Sequence, residues 1–246
     1  MSGSGRRVEL AALYVLHHRP WRDTSRMLEV MSREYGRLTL FARGVRTPRS
    51  RTASVLQPFR LLMASWSGSG DTAQLTGVER AQHDEQGEVP AASLMSAWYL
   101  NELLLKLTLR ADPQPLVFDL YHEAICALRR GESVEPVLRR FERQLLELLG
   151  YGIEFGAAAR GGGALKAQSY YHFHPDLGFV EVAAETTVST FSGAALTAFA
   201  ADEYPDAIVL EQARRLMRIA LDHALEGREL RTRGVARAVA KKKTEN

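Results

Sequence analysis

The sequence predicts an α+β protein in which an N-terminal closed β-barrel of five strands precedes an α-helical domain carrying a small hairpin insertion. Three observations lead there. The first eighty residues break into five β-forming runs bounded by turn residues. From about residue 91 the apolar spacing lengthens to that of helices. The arginines crowd into the barrel end. With 246 residues, 46% of them hydrophobic and 25% charged, the chain has the composition of an ordinary globular protein. It is too apolar to be disordered, and one cysteine excludes a disulfide-built scaffold.

The predicted strands are Val8–His17, Ser25–Arg33, Arg37–Val45, Leu56–Trp66 and Thr72–Arg80. Arg19-Pro20-Trp21, Glu34-Tyr35-Gly36, Thr47-Pro48 and Ser67 to Asp71 separate them. Glu34–Gly36 suits a three-residue hairpin with glycine in the left-handed position. Five short strands with no competing helix favour a small barrel over a sandwich, and the oligonucleotide-binding (OB) barrel is the natural five-stranded candidate. Helices follow over Ala91–Leu109, Leu116–Arg130 and Glu135–Leu149, and from about Asp206 to Leu225. Pro115 stands at a first helical position, and Gly131 and Gly150 are stops. Tyr170–Val182 suits a hairpin. The predicted domains are residues 1–82, residues 83–227 and a basic, mobile tail over 228–246. No run approaches membrane-spanning length and no signal peptide is evident, so a cytoplasmic location is expected.

The formal charge of +3 conceals a segregation. Residues 1–60 hold twelve arginines against four acids; residues 61–210 are net −10; residues 211–246 are net +5. From Arg37 to Arg60, both included, there are six arginines and no acid. A basic third on an acidic body points to a polyanionic partner. On the third strand, alternation puts Arg37, Thr39, Phe41 and Arg43 on one face and Leu38, Leu40 and Ala42 in the core. Arg46, Arg49 and Arg51 follow on a loop, and Arg60 closes the cluster. Trp21, Phe59 and Trp66 can either stack bases or fill the barrel.

Catalytic chemistry finds little footing. Gly68-Ser69-Gly70 lacks a strand–elbow–helix setting, and Gly161–Gly163 has no lysine after it to cradle phosphate. Cys126 sits on an apolar helix face, as a small core residue does. His172 and His174 share a strand face without a third ligand at diagnostic spacing, so no metal and no other cofactor is expected. A second constellation lies on Glu135–Leu149, where Arg139, Arg140 and Arg143 stand beside an apolar strip. Such a helix either captures an acidic, hydrophobic peptide end or presents a solvated face.

Several segments together resemble the RecO family of bacterial recombination mediators over nearly the whole chain. They are Val15 to Val30 (Val-Leu-His-His-Arg-Pro-Trp-Arg-Asp-Thr-Ser-Arg-Met-Leu-Glu-Val), Gly36 with Ala42-Arg43-Gly44-Val45-Arg46, Leu56-Gln57-Pro58-Phe59 and Tyr99-Leu-Asn-Glu-Leu-Leu104. Leu138-Arg-Arg-Phe-Glu142 through Leu149-Gly-Tyr-Gly152 and Glu203-Tyr-Pro-Asp206 complete the set. The resemblance implies an OB domain and a helical domain that bind single- and double-stranded DNA and anneal complementary strands. It implies partnership with single-stranded-DNA-binding protein (SSB), through its acidic C-terminal tail, and with RecR, a functional link to the RecA recombinase during repair, and a cytoplasmic, nucleoid-associated location. Many family members carry a four-cysteine zinc finger after the Gly-Tyr-Gly element. Residues 153–185 contain no cysteine here and are expected to be its metal-free remnant.

The expectation is therefore a non-enzymatic DNA-binding mediator. The DNA face would be Arg37, Phe41, Arg43, Arg46, Arg49, Arg51 and Arg60, and the SSB tail would meet Arg139, Arg140 and Arg143. An RNA- or ribosome-associated OB protein is the alternative, since stacking and phosphate contacts suit both. An enzyme grasping a phosphorylated small molecule is a third reading.

Overall fold

Strand β1 (Arg6–Trp21) is long enough to serve two partners. Its first half pairs with β4 (Leu62–Ser69) and its second with β2 (Ser25–Ser32), with a register shift in each ladder. Strand β3 (Gly36–Ala42) continues antiparallel to β2, and β5 (Thr72–Arg80) closes the ring between β3 and β4. The barrel order β1-β2-β3-β5-β4, with β3 and β5 parallel, is that of an OB-type barrel. This computed structural model describes residues 6–47, 50–69, 71–84, 87–159, 162–184, 187–235 and 238.

Leu13, Val15, Leu28, Val30, Leu38, Leu40, Leu62 and Ala64 fill the barrel, as the alternation predicts. Trp66 lies inside it, edge-on to Tyr35 at 5.2 Å, and Phe59 is buried against Trp98 at 4.9 Å. Both rings are therefore core residues and not base-stacking surfaces. The fourth strand begins at Leu62, because residues before it form a short helix, α1 (Arg51–Val55), capped by the Ser50 hydroxyl. Leu56 seals the barrel behind α1. Five residues are too few for a helical period to register in sequence.

In β1, Leu13, Tyr14, Val15 and Leu16 are all buried, so the strand is covered on both faces. The outer cover is α2 (Leu94–Leu107) and α3 (Pro115–Arg129). Tyr14 packs on Phe118 at 5.5 Å and on Tyr121 at 5.0 Å. Asn101 donates to the Leu16 carbonyl at 2.8 Å and accepts from the Tyr121 hydroxyl at 2.5 Å. The contacts accordingly gather into one unit of residues 1–131 with 230–246, and a second of 132–229. The boundary between these two units falls at Gly131. The chain after Arg228 is anchored where it can be described: Leu230 is buried, and the Glu102 carboxylate accepts from the Arg231 and Thr232 amides and the Thr232 hydroxyl.

The second unit contains α4 (Val134–Leu148), the hairpin β6 (Tyr170–His174) with β7 (Gly178–Val182), and β8 (Thr190–Ser192). It ends with α5 (Gly193–Ala200) and α6 (Ala207–Ala224). The sheet order is β7-β6-β8. The sequence reading assigns nothing to α5, whose small residues carry no polar face to show a period. Phe155, Phe173, Phe179 and Phe199 pack ring to ring at 5.1 to 5.7 Å. Residues of the cysteine-free stretch thus share an aromatic core. Among the described residues no group of three or more His, Cys, Asp or Glu side chains is placed to hold a metal ion, and no helix is long and apolar enough to cross a membrane.

Candidate nucleic-acid interface

The outer face of β1–β2–β3 is built by cross-strand pairing. Arg19 stands opposite Met27, Met27 opposite Phe41, and Phe41 opposite Gln74 on β5. Residues directly opposite share a face, so these four make one row across the barrel wall. Two residues along β1, Trp21 extends the row's apolar part. It is 39% exposed, and its ring lies 5.3 Å from that of Phe41. Arg43 is exposed just beyond β3. The β1–β2 turn and the turn after β3 are tied together: the Arg46 amide donates to the Thr24 carbonyl at 2.9 Å, and its guanidinium donates to the Arg22 carbonyl at 3.1 Å.

Arg22, Arg43 and Arg46 are exposed on these two turns, with Arg51 exposed at the start of α1. Among the described residues none of the four has an acidic partner. Arg46 spends its hydrogen bond on a neutral carbonyl and keeps its charge uncompensated. Aromatic rings beside unpaired guanidinium groups suit a strand of nucleic acid, whose bases offer π-faces and whose phosphates need cations. Arg19 and Arg22 were missed by the sequence reading, although their position flanking Pro20-Trp21 in the first turn was a usable signal.

Two predicted members stand apart. Arg37 is on the outer face, but the chain at residues 108–112 covers it. Its backbone carbonyl accepts from Ala111, and its guanidinium donates to the Thr108 carbonyl at 2.9 Å and lies 3.7 Å from Glu29. Burial, with Arg110 beside it, pulls its pKa below the ordinary arginine value. Arg110 fills the same site, gripping both Glu29 oxygens at 2.7 and 2.8 Å and the Thr39 hydroxyl at 2.7 Å. The predicted open face of Arg37 and Thr39 is thus a closed ion cluster. The sequence window had no acid, but the neighbouring strand supplies one. Gly36 permits the cover: its φ is +66°, and a Cβ there would meet the Asp112 carbonyl oxygen at 2.0 Å. Arg60 is buried to 7% exposure and faces Asp84 and Glu88 at 3.7 and 3.8 Å, away from this row. Arg49 lies outside the described residues.

The α4 arginines form a different kind of site. Arg139 is buried and donates to Glu142, itself 1% exposed, at 2.7 Å. Arg143 donates to Asp202 at 2.6 Å, and Arg140, about half exposed, lies 3.7 Å from the same oxygen. Tyr204 is packed beside them, and burial, with Asp202 adding to it, pushes its hydroxyl well above the usual phenol range. The structure brings these arginines together, as the helical spacing predicts, but only Arg140 reaches solvent freely. The His172 and His174 rings lie 4.4 Å apart on the hairpin, tilted by 56°.

A closed barrel with a cationic, aromatic outer wall, followed by a helical unit, defines the molecule as an OB-type barrel protein with an appended helical region. The family model for the recombination protein O N terminal matches residues 10–83, and that for its C terminal matches residues 91–232. The chain is 37% identical to the DNA repair protein RecO of Azoarcus sp. (strain BH72) over 233 residues, covering 93% of this chain and 95% of that protein. It is 38% identical to the DNA repair protein RecO of Nitrosococcus oceani, with 93% of each covered. Against the same-named protein of Methylococcus capsulatus the figure is 36%, with 96% of each covered. The chain belongs to the RecO family of DNA repair proteins.

Proposed function

We propose that the chain acts without bond chemistry, as a mediator that anneals complementary DNA strands and helps load RecA recombinase onto SSB-coated DNA. One observation carries the DNA part: the exposed Trp21 ring, packed on the half-buried Phe41, shares the barrel wall with Arg22, Arg43, Arg46 and Arg51, none of which has an acidic partner among the described residues. Guanidinium groups that neutralise phosphates on two strands lower their mutual repulsion and let bases meet. Arg49, outside the described residues, is counted as a DNA contact from its place in the sequence alone. The barrel over residues 1–82 is the DNA module in this reading.

The helical region over 83–227 supplies the partner surface. The α4 helix docks the acidic, apolar-ended tail of SSB, with Arg140 as the accessible cation and Arg139 and Arg143 holding the charge pattern behind it. An arginine fork grips a carboxylate through two hydrogen bonds. RecR is assigned as a further partner on family grounds. The test is strand annealing on SSB-coated complementary oligonucleotides without ATP. Annealing that disappears when Arg43, Arg46 and Arg51 are neutralised supports the reading; unimpaired annealing rejects the barrel assignment.

A further inference from the structure

The row Arg19–Met27–Phe41–Gln74 across the barrel wall has a methionine at its centre. Met27 is half-buried on β2, directly opposite Phe41, whose ring in turn meets the exposed Trp21 ring at 5.3 Å. The exposed Arg19 guanidinium donates to the Met27 sulfur at 3.5 Å. A thioether is a weak acceptor, so this bond holds the guanidinium in place and leaves it free to turn to a stronger one. The other described methionines stand elsewhere. Met31 and Met217 are sealed from solvent, Met63 lies on β4 opposite Ala12 and Glu79, and Met95 is 39% exposed on α2. Met27 is therefore the one described methionine in the row that holds Phe41. Methionine suits an apolar surface that bases approach, and its sulfur is also open to oxidation.

We propose that Met27 is a modification site, at which oxidation by a peroxide turns DNA binding down. This rests on the reading of the wall as the DNA face. The sulfur lone pair attacks one peroxide oxygen and the O–O bond breaks. The hydroxide that leaves takes the proton from the new S–OH group and departs as water. Sulfur is oxidised by two electrons and the peroxide is reduced by two. Arg19, beside the sulfur, steadies the negative charge on the departing hydroxide. The product oxygen accepts a hydrogen bond far better than the thioether did, so Arg19 closes onto it. A polar, chiral group then stands beside Phe41 where an apolar one stood. One phosphate contact and part of the apolar surface are lost together. A methionine sulfoxide reductase reverses the step.

The test treats the full chain with dilute hydrogen peroxide, maps added oxygen by peptide mass spectrometry, and titrates a labelled oligothymidylate before and after. As the Met27 peptide gains one oxygen, affinity should fall about tenfold, and the log–log salt slope should flatten by roughly 0.7, one phosphate contact. Incubation with methionine sulfoxide reductases should restore both. Met27→Leu keeps a side chain of similar volume without the sulfur, so its affinity, whatever its starting value, should not change on treatment. Met63→Leu and Met95→Leu should stay as sensitive as the natural chain. Oxygen on Met27 with unchanged affinity overturns the proposal. So does an equal loss in Met27→Leu, or a denaturation midpoint that collapses together with DNA binding. Peroxide that modifies Met63 and Met95 but spares Met27 overturns it too. The reading of the wall fails separately: if neutralising Arg43, Arg46 and Arg51 leaves oligothymidylate binding intact, the wall is not the DNA face, whether or not Met27 takes oxygen. If that variant loses binding and the oxidised chain does not, the role of Met27 alone is overturned.

Discussion

The barrel rim and helix α4 use the same residue to opposite ends. On the rim, Arg22, Arg43, Arg46 and Arg51 face solvent with no acid partner among the described residues. On α4, Arg139 and Arg143 are held by Glu142 and Asp202 at 2.7 and 2.6 Å, and Arg140 leans on Asp202. The difference lies in what surrounds each arginine in three dimensions. Arg37 proves it, since it belongs to the acid-free run in sequence yet behaves like an α4 arginine through Glu29. Unpaired arginines leave their charge available to an anion in solution, whereas paired ones spend it on the fold.

The largest effects should come from breaking the paired class. Glu29→Gln removes the carboxylate that Arg37 and Arg110 share in a half-buried site, leaving Arg110 with Asp71 at 3.7 Å, and Arg139→Ala removes the 2.7 Å partner of the buried Glu142. Each should cost about 3 kcal/mol of stability, the range for removing one partner of a buried pair. Chemical denaturation measures it. A loss below about 0.5 kcal/mol in Glu29→Gln would mean that the cluster is no more than a surface bridge.

Next comes the unpaired class. Replacing Arg43, Arg46 and Arg51 together by glutamine should leave the denaturation midpoint in place. It should flatten the log–log salt dependence of single-strand binding by about 2, at roughly 0.7 per phosphate contact. Titrations over a salt series read the slope directly, and an unchanged slope would move the DNA surface elsewhere.

A smaller effect separates exposure within α4. Arg140→Ala should weaken binding of an SSB-tail peptide about tenfold, or about 1.4 kcal/mol, while naked DNA binding is untouched. Parallel loss of both would merge α4 with the DNA surface.

Smaller again is the anchor of the C-terminal segment. Burial alone would raise the Glu102 carboxyl, but hydrogen bonds from Thr232 and Arg231 outweigh it and hold the pKa below the ordinary value. A depressed carboxylate contributes stability that is full above its unfolded value, near 4.3, and is lost as pH falls through the folded value. Amide exchange at Arg231 and Thr232 should therefore stay protected at neutral pH and open under acid, and Glu102→Gln should open it at neutral pH. Finally, a chelator should leave the melting temperature unmoved. A stoichiometric metal in elemental analysis would refute that.

Much of the fold was legible in the residues. The period change near residue 91, the Gly36 hairpin, Pro115 at the start of α3 and the apolar run of β1 all report local backbone preference or two-sided burial. The two short helices escaped because neither carries a readable period, and the packing of α2 and α3 on the barrel escaped because Tyr14 and Asn101 look ordinary until their partners are beside them. For the proposed interface, alternation and acid-free spacing point to Phe41, Arg43, Arg46 and Arg51; they do not point to Arg19 and Arg22, and they group Arg37 and Arg60 with the rest although both are held by carboxylates.

What the sequence by itself determined is the inventory: five strands, the main helices, an arginine-rich barrel end and a cysteine-free hairpin. What only the tertiary structure decided is which arginines stay free. A charge interacts over a few ångströms of space and not along the chain. Glu29 reaches Arg37 and Arg110 across a ladder and a covering loop, and Asp84 reaches Arg60 and Arg129 from residues far apart in sequence. No window of sequence contains those distances; only the closed barrel, with its helices in place, sets them.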